Sequence, residues 1–319
     1  MDAFQELLAC PLCGGELSAE WQCLRCSARF AASEGIPDLR AGTHASTDVV
    51  RRFYEHAPFP GYGPHDTLDS IYARARRSKF ARLLDAAIAA DARILEIGCG
   101  TGQMSMYLAR ADRLVLGLDV TRAPLLLAQA AARRFRLTRV RFVEADLHRP
   151  AVRAGAFDVV YASGVLHHTR NPRAAFAHMA GLARPGGLIV VGVYNTLARI
   201  PLRLRRFVAR MSGFRWIPPD PVLRERAAEP ARREAWLRDQ YQHPEEHRHT
   251  IGEVQSWFKE NGVEYLRTYP SSLIGEAPDD LLSAAGDAWS LEAWLVQLGW
   301  MRGLGREGGL FMTIGQRTT

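Results

Sequence analysis

The stretch that most limits how this chain can fold is Ile94–Gly102, Ile-Leu-Glu-Ile-Gly-Cys-Gly-Thr-Gly. Ile94, Leu95 and Ile97 form an apolar run of the kind a strand buried on both faces requires. The run breaks into Gly98, Gly100 and Gly102 before the helix-compatible Gln103–Arg110. A strand, a glycine turn and a helix start together make a nucleotide cradle, because glycine lets backbone approach a ligand without a Cβ and the first helical N–H groups have no intrahelical partner. A Gly-x-Gly-x-Gly turn alone also fits an ordinary tight turn, so the segments that follow decide.

They recur in step. Leu114–Asp119 reads as a second strand closing on an acid, about twenty residues past the first glycines, where a ribose-binding carboxylate belongs. Leu125–Arg134 reads as a helix, Val140–Asp146 as a third strand again closing on an acid, Phe157–Tyr161 as a fourth, Pro172–Leu182 as a helix, and Leu188–Tyr194 as a fifth strand. Alternating strands and helices, with strands too apolar for a half-exposed sheet, predict an α/β fold with a doubly wound, mostly parallel sheet. In such sheets ligands sit at the carboxyl ends of the strands, where Gly98–Gly102, Asp119, Asp146 and Ser163–His168 all fall. A dinucleotide reading is second best. A pyrophosphate loop favours Gly-x-Gly-x-x-Gly without an added carboxylate, whereas this loop follows Glu96 and suits a zwitterionic, cationic ligand better.

Four of the five cysteines stand in the first 26 residues. Cys10-Pro-Leu-Cys13 and Cys23-Leu-Arg-Cys26 are two knuckles, each placing two thiolates on one side of a turn, and facing knuckles give four soft ligands at tetrahedral corners. The expectation is structural Zn²⁺ held by Cys10, Cys13, Cys23 and Cys26; a redox dithiol would need one pair only.

The set Glu96-Ile-Gly-Cys-Gly-Thr-Gly102, Leu118-Asp119, Glu144-Ala-Asp146 and Phe157–His168 resembles the successive motifs of class I S-adenosylmethionine-dependent methyltransferases, over about Ser78 to Asn195. The first forty residues resemble the small zinc-ribbon domains found beside or fused to methyltransferases. The resemblance implies a seven-stranded, Rossmann-like sheet whose last strand is antiparallel. It also implies S-adenosyl-L-methionine as cofactor. Gly98, Gly100 and Gly102 would pass near its methionine and ribose portions with Glu96 at the same turn; Asp119 would accept from the ribose hydroxyls and Asp146 would meet the adenine amino group. Ser163 and Val165 would lie near the sulfonium, with Cys99, Val120 and Leu147 lining the same site.

The domain reading is a zinc ribbon over 1–41, a linker and an aromatic, proline-rich lid or strap over 42–77, and the methyltransferase domain over 78–319 with helical insertions at about 198–250 and 271–309. Ala41–Asp48 is small and polar like a linker. Prolines and aromatics from Phe53 to Pro64 predict an extended path, either a surface strap or a lid. Tyr72–Ala90 has helical spacing. On the acceptor side, His167, His243, His249 and Tyr54 are the candidate catalytic residues. A base is needed only where the acceptor carries a proton that must leave, and a backbone-bonded structural role is open for the histidine pair His167-His168. Thr250 with Glu253 reads as a capping box for a helix over Ile251–Glu260. Tryptophans 289, 294 and 300 suit core or dimer packing, or an aromatic acceptor pocket. Gly262–Tyr269 and Leu310–Gly315 would be the last two strands.

The acceptor class is the least constrained. The net charge of +7 comes almost wholly from arginine, with lysine only at 79 and 259. The basic amphipathic stretch Arg199–Arg210 fits an anionic membrane, RNA or a partner, or a solvated helix face. The leading expectation is a small-molecule acceptor. RNA is the alternative, a cofactor-binding scaffold without turnover a third, and a homodimer or a partner on the ribbon is open. The longest charge-free run, Pro185–Ala198, is shorter than the roughly 18 apolar residues of a spanning helix, and the acidic first residues lack a signal-peptide pattern. A cytoplasmic location is expected.

Overall fold

A computed structural model of the 319-residue chain describes all but residues 1, 43–44, 57, 59–60, 63–64, 286–289, 305–307 and 319. The N-terminal unit contains the short antiparallel pair β1 (Ala32–Ser33) and β2 (Ile36–Pro37). Helices α1 (Ala45–His56), α2 (Leu68–Arg76) and α3 (Lys79–Ala87) lead to β3 (Arg93–Ile97). The chain then alternates through α4 (Gln103–Leu108), β4 (Leu114–Asp119), α5 (Arg122–Arg134), β5 (Val140–Glu144), β6 (Phe157–Ser163), α6 (Pro172–Ala180) and β7 (Ala183–Tyr194). A helical excursion follows, α7 (Ile200–Met211), α8 (Pro221–Glu225), α9 (Pro230–Leu237) and α10 (Ile251–Glu260), before β8 (Val263–Tyr269), α11 (Ser290–Gly303) and β9 (Leu310–Arg317).

Seven strands form one sheet in the order β5-β4-β3-β6-β7-β9-β8, parallel except for β9, which runs against both of its partners. Ile94, Leu95, Val115, Leu116, Val159 and Val160 are buried on the two faces, which is why these runs do not alternate with polar residues. Each such side chain contributes about 1.5–3 kcal/mol on leaving water. The chain enters the sheet at its centre, winds outward to β5 and returns to β6 beside β3, so the winding direction reverses between β3 and β6. A crevice opens at the carboxyl ends of strands on either side of such a reversal.

The N-terminal unit is docked on the β5 edge. Leu39 donates its N–H to the Glu144 carbonyl at 2.8 Å, and Ala9 donates to the Ala151 carbonyl at 2.9 Å. Arg40 and Arg122 grip the buried Glu144 carboxylate at 2.9 and 3.2 Å. The sheet edge, otherwise a row of unpaired N–H and C=O groups, is thereby covered over part of its length.

The structure differs from the sequence expectations at three places. Residues 45–56 are helical, so neither the linker at 41–48 nor the extended strap from Phe53 extends through that span; the prolines begin only at 58, after the helix has ended. The helix expected over Tyr72–Ala90 is two helices broken at Arg77-Ser78, where the Ser78 hydroxyl caps α3 by accepting from Ala81 N–H at 3.3 Å. Thr250 does cap α10, but the Glu253 carboxylate turns to His249 instead of back to the cap, so the box is half formed. Of the three tryptophans, Trp300 packs on Phe311, Trp294 is exposed on α11, and Trp289 lies outside the described residues.

Candidate active site

The loop after β3 is shaped by positive φ at Gly98 (+67°), Gly100 (+52°) and Gly102 (+72°). These angles favour glycine, and two positions also lack room. A Cβ on Gly98 would lie 2.2 Å from Val165 Cγ2, and one on Gly102 would lie 2.7 Å from the Phe142 ring. Gly98 thus marks where the loops after β3 and β6 touch at the reversal point, whereas Gly102 is a packing position against β5 and α5 and does not line the cavity.

That cavity, about 430 Å³, is lined on one side by Glu96, Gly98, Cys99, Gly100, Asp119, Val120, Asp146, Leu147, Ser163 and Val165. Asp119 accepts one N–H on each oxygen, from Gly100 at 2.9 Å and Thr121 at 2.8 Å. A carboxylate offers about four acceptor positions, so lone pairs remain for ligand hydroxyls. Burial raises the Asp119 carboxyl above the usual range, against the lowering effect of those N–H groups. Glu96 accepts from the Ser105 hydroxyl, and burial pushes its carboxyl up to about 8. Asp146 accepts from His148 N–H at 2.9 Å. Ser163 points its hydroxyl toward Met312 sulfur.

The other side is built from elements distant in sequence. Thr47, Val50 and Tyr54 of α1 face the cavity with His168, Tyr194, Trp236, Asp239 and Gln240. Tyr54 donates its hydroxyl to Asp239 at 2.6 Å, and Gln240 links Asp239 at 2.6 Å to the Tyr194 hydroxyl at 2.8 Å. Arg199, fully buried, lies 3.6 Å from the Tyr194 ring centre and is held by Gln240, Glu246 and the Gly308 carbonyl. Asp119, Asp146 and Asp239, together with Glu96, whose carboxyl is protonated in the free site near neutral pH, line this space with Arg170. That balance favours a cationic ligand over a diphosphate.

The histidines separate. His168 faces the cavity, stacks on His243 with ring centres 3.6 Å apart, and places Nδ1 2.7 Å from the Glu245 carbonyl. A carbonyl only accepts, so Nδ1 carries the proton and Nε2 keeps its lone pair. Burial is the main cause pushing His168 down to about 4 and His243 to about 3. His167 is turned away from the cavity onto the Tyr194 ring, 3.8 Å between centres. His249 is bonded to Glu253 at 2.8 Å and lies edge-on to Trp257, also outside the cavity. Sequence reading gave no site role to Trp236, Asp239 or Gln240 and took Tyr194 only as the end of a strand. The spacing of Thr47, Val50 and Tyr54, three and four residues apart, was the available signal for α1.

In the N-terminal unit the sulfur atoms of Cys10, Cys13, Cys23 and Cys26 all lie within 4.8 Å of one another. Cys10 and Cys26 are 3.7 Å apart, and Cys13 and Cys23 are 3.5 Å apart. A tetrahedron with Zn–S near 2.3 Å has sulfur–sulfur edges of about 3.8 Å, so the four positions fit a metal of that size. Arg25 and Cys26 direct N–H groups at Cys23 sulfur, each at 3.4 Å.

Sheet order, glycine turn and strand-end acids together define the class I, Rossmann-like methyltransferase fold. The chain carries a methyltransferase domain: residues 95–191 match the family of that description. An uncharacterized protein of Synechococcus sp. is 26% identical over 291 residues, 78% of this chain and 66% of that protein. A ubiquinone biosynthesis O-methyltransferase of Nitrosococcus oceani is 31% identical over 151 residues, 47% of this chain and 62% of that protein. The chain thus spans less than two thirds of the length of these relatives. The crystal structure of geranyl diphosphate C-methyltransferase from Streptomyces coelicolor shares the fold, with a TM-score of 0.50 at 14% identity over 87% of this chain and 100% of that one. Among the described residues no helix is long and apolar enough to cross a membrane.

Proposed function

We propose that this chain methylates a small molecule, using S-adenosylmethionine held along Glu96, Gly98, Gly100, Asp119 and Asp146. The observation that carries the reading is a single cavity joining those acids to Tyr54, His168 and Asp239. When bound, the cofactor supplies a methyl group activated by a sulfonium. The residues of the chain have three tasks. Asp119 orients through its free lone pairs, Asp146 and Glu96 hold donors and positive charge, and the α1 and α9 side chains close the space against water.

His168 is the residue placed to receive a proton from an acceptor hydroxyl. Its neutral Nε2 is a weak base, and that is sufficient, because an oxygen that gains a methyl group before losing its proton becomes a strong acid. Tyr54, held by Asp239 with its pKa raised well above the phenol range by burial, stays protonated and positions the acceptor. His167 and His249 support the wall behind. The four cysteines hold structural Zn²⁺, whose closed thiolate set leaves no open position for substrate. Such thiolates suit a reducing compartment, in keeping with a cytoplasmic protein. The relationship to an O-methyltransferase of ubiquinone biosynthesis supports a small-molecule acceptor.

Two measurements test the reading. Calorimetric titration with S-adenosylmethionine should show binding, weakened about 100-fold by Asp119→Ala through loss of charged hydrogen bonds worth about 3 kcal/mol. Cell extract incubated with the protein and deuteriomethyl-labelled cofactor should yield a labelled small molecule. Label in RNA alone would replace this acceptor class, and no cofactor binding would remove the reading.

A further inference from the structure

Helix α7 leaves the catalytic unit with an apolar stripe facing solvent. Leu204, Phe207, Val208 and Met211, spaced i, i+3, i+4 and i+7, lie on one face, and Leu204 and Phe207 are each 64% exposed and Met211 75%. Trp216, just beyond the helix, is 57% exposed. The opposite face, Leu202 and Ala209, is buried against Val222, Leu223 and Trp236. Between the two faces, at 100° per residue, Arg203 and Arg210 flank the stripe on one side and Arg205 on the other.

Beside this helix is a second cavity of about 340 Å³ lined by Arg203, Arg206, Phe207, Arg210, His243, Pro244, Glu246 and Arg248. The Glu246 carboxylate is taken up by Arg199 and Arg206. Among the described residues Arg203, Arg210 and Arg248 make no ion pair, so the cavity carries uncompensated positive charge. His243, only 2% exposed, lines it with Nε2 lacking any hydrogen-bond partner among the described residues.

From this arrangement we infer that α7 docks the protein on a bilayer rich in anionic phospholipid, the stripe entering the acyl boundary and the arginine-lined cavity receiving lipid phosphate. An apolar face bordered by arginine is the pattern of a helix lying in the membrane interface. The charge argues against the other occupants. Antiparallel twofold pairing of α7 with a second copy would bring Arg203 and Arg210 of both chains together, and apart from the rings of Phe207 and Trp216 the stripe offers RNA bases only the aliphatic Leu204, Val208 and Met211, which give no stacking platform along a strand. Helix α11 shows a comparable stripe, Leu291, Trp294, Leu295 and Leu298, but its only cation is Arg302.

The test is flotation of the full chain with vesicles of phosphatidylglycerol and phosphatidylcholine, against phosphatidylcholine alone. Binding should require phosphatidylglycerol and weaken with salt. Arg203→Gln with Arg210→Gln should lower partitioning about 25-fold, from about 1 kcal/mol per arginine at an anionic surface. The triple change Leu204→Ser, Phe207→Ser, Met211→Ser should abolish binding with an unchanged circular dichroism melt. Because these residues are exposed, folding is retained; Asp119→Asn should float like wild type, separating this inference from the methyl-transfer reading. Absence of flotation, equal binding to both vesicle types, or a dimer in sedimentation that the triple change dissociates would overturn it. So would RNA binding that needs the arginines while vesicle binding does not.

Discussion

Tyr54 and Asp239 lie 185 residues apart in sequence, yet both line the cavity and the tyrosine hydroxyl donates to Asp239 Oδ1 at 2.6 Å. The bond ties the helix before the sheet to the insertion after β7. One wall of the ligand space is thus built from segments on either side of the central strands in sequence.

Tyr54→Phe should cost about 1–3 kcal/mol, the range for a buried acceptor that loses its donor. Asp239 keeps its bond from Gln240. Thermal denaturation should register the loss, while cofactor titration stays within a few-fold of wild type and methyl transfer falls. Unchanged turnover would remove Tyr54 from the acceptor side.

Glu96 should make stability depend on pH. Its folded carboxyl is pushed up to about 8 from an ordinary 4.5, so the folded state binds the extra proton between those values. The associated stability is full below about 4.5 and is lost as pH rises through about 8, with a slope of at most about 1.4 kcal/mol per pH unit. Denaturant titrations of wild type and Glu96→Gln across this window should diverge with that sign. A positively charged ligand favours ionised Glu96, so its binding should release protons, measurable as buffer-dependent heat.

Gly98→Ala places a Cβ 2.2 Å from Val165 Cγ2 and asks alanine for φ of +67°. The expected loss is about 1–3 kcal/mol together with cofactor affinity. Adding Val165→Ala should restore part of it, leaving the backbone strain, and a double-mutant cycle measures the shared portion. Full additivity would show that the two loops are not in contact.

Elemental analysis of the purified chain should find one zinc per molecule, displaced by chelators and absent in Cys13→Ser. Loss of metal should loosen the N-terminal unit first, since Leu7, Leu8 and Leu17 pack beside the cysteines. Hydrogen exchange at Leu39, whose N–H is bonded to Glu144, reports release from the sheet edge. Four thiols reacting freely in the untreated protein would contradict the metal.

The centre of the sheet was legible because β4, β6 and β7 are buried on both faces and carry apolar runs such as Leu114–Leu118, Val159–Ala162 and Leu188–Val193; Leu114–Asp119 and Ile251–Glu260 end where local pattern and capping say they should. The glycine turn, the strand-end acids Asp119 and Asp146 and the two cysteine knuckles were legible for a related reason. Each glycine turn and cysteine knuckle is a short local pattern, and each acid marks the end of a strand whose place in a parallel sheet follows from the strand order. Chain order could not reveal that His168 faces the cavity while its neighbour His167 turns onto Tyr194, since successive residues in a tight turn point in different directions. Nor could it pair Tyr54 with Asp239, or set an arginine-lined cavity beside the exposed stripe of α7. Those juxtapositions join segments far apart in sequence. They exist only after the sheet has buried its faces and fixed where the helices before and after it can pack.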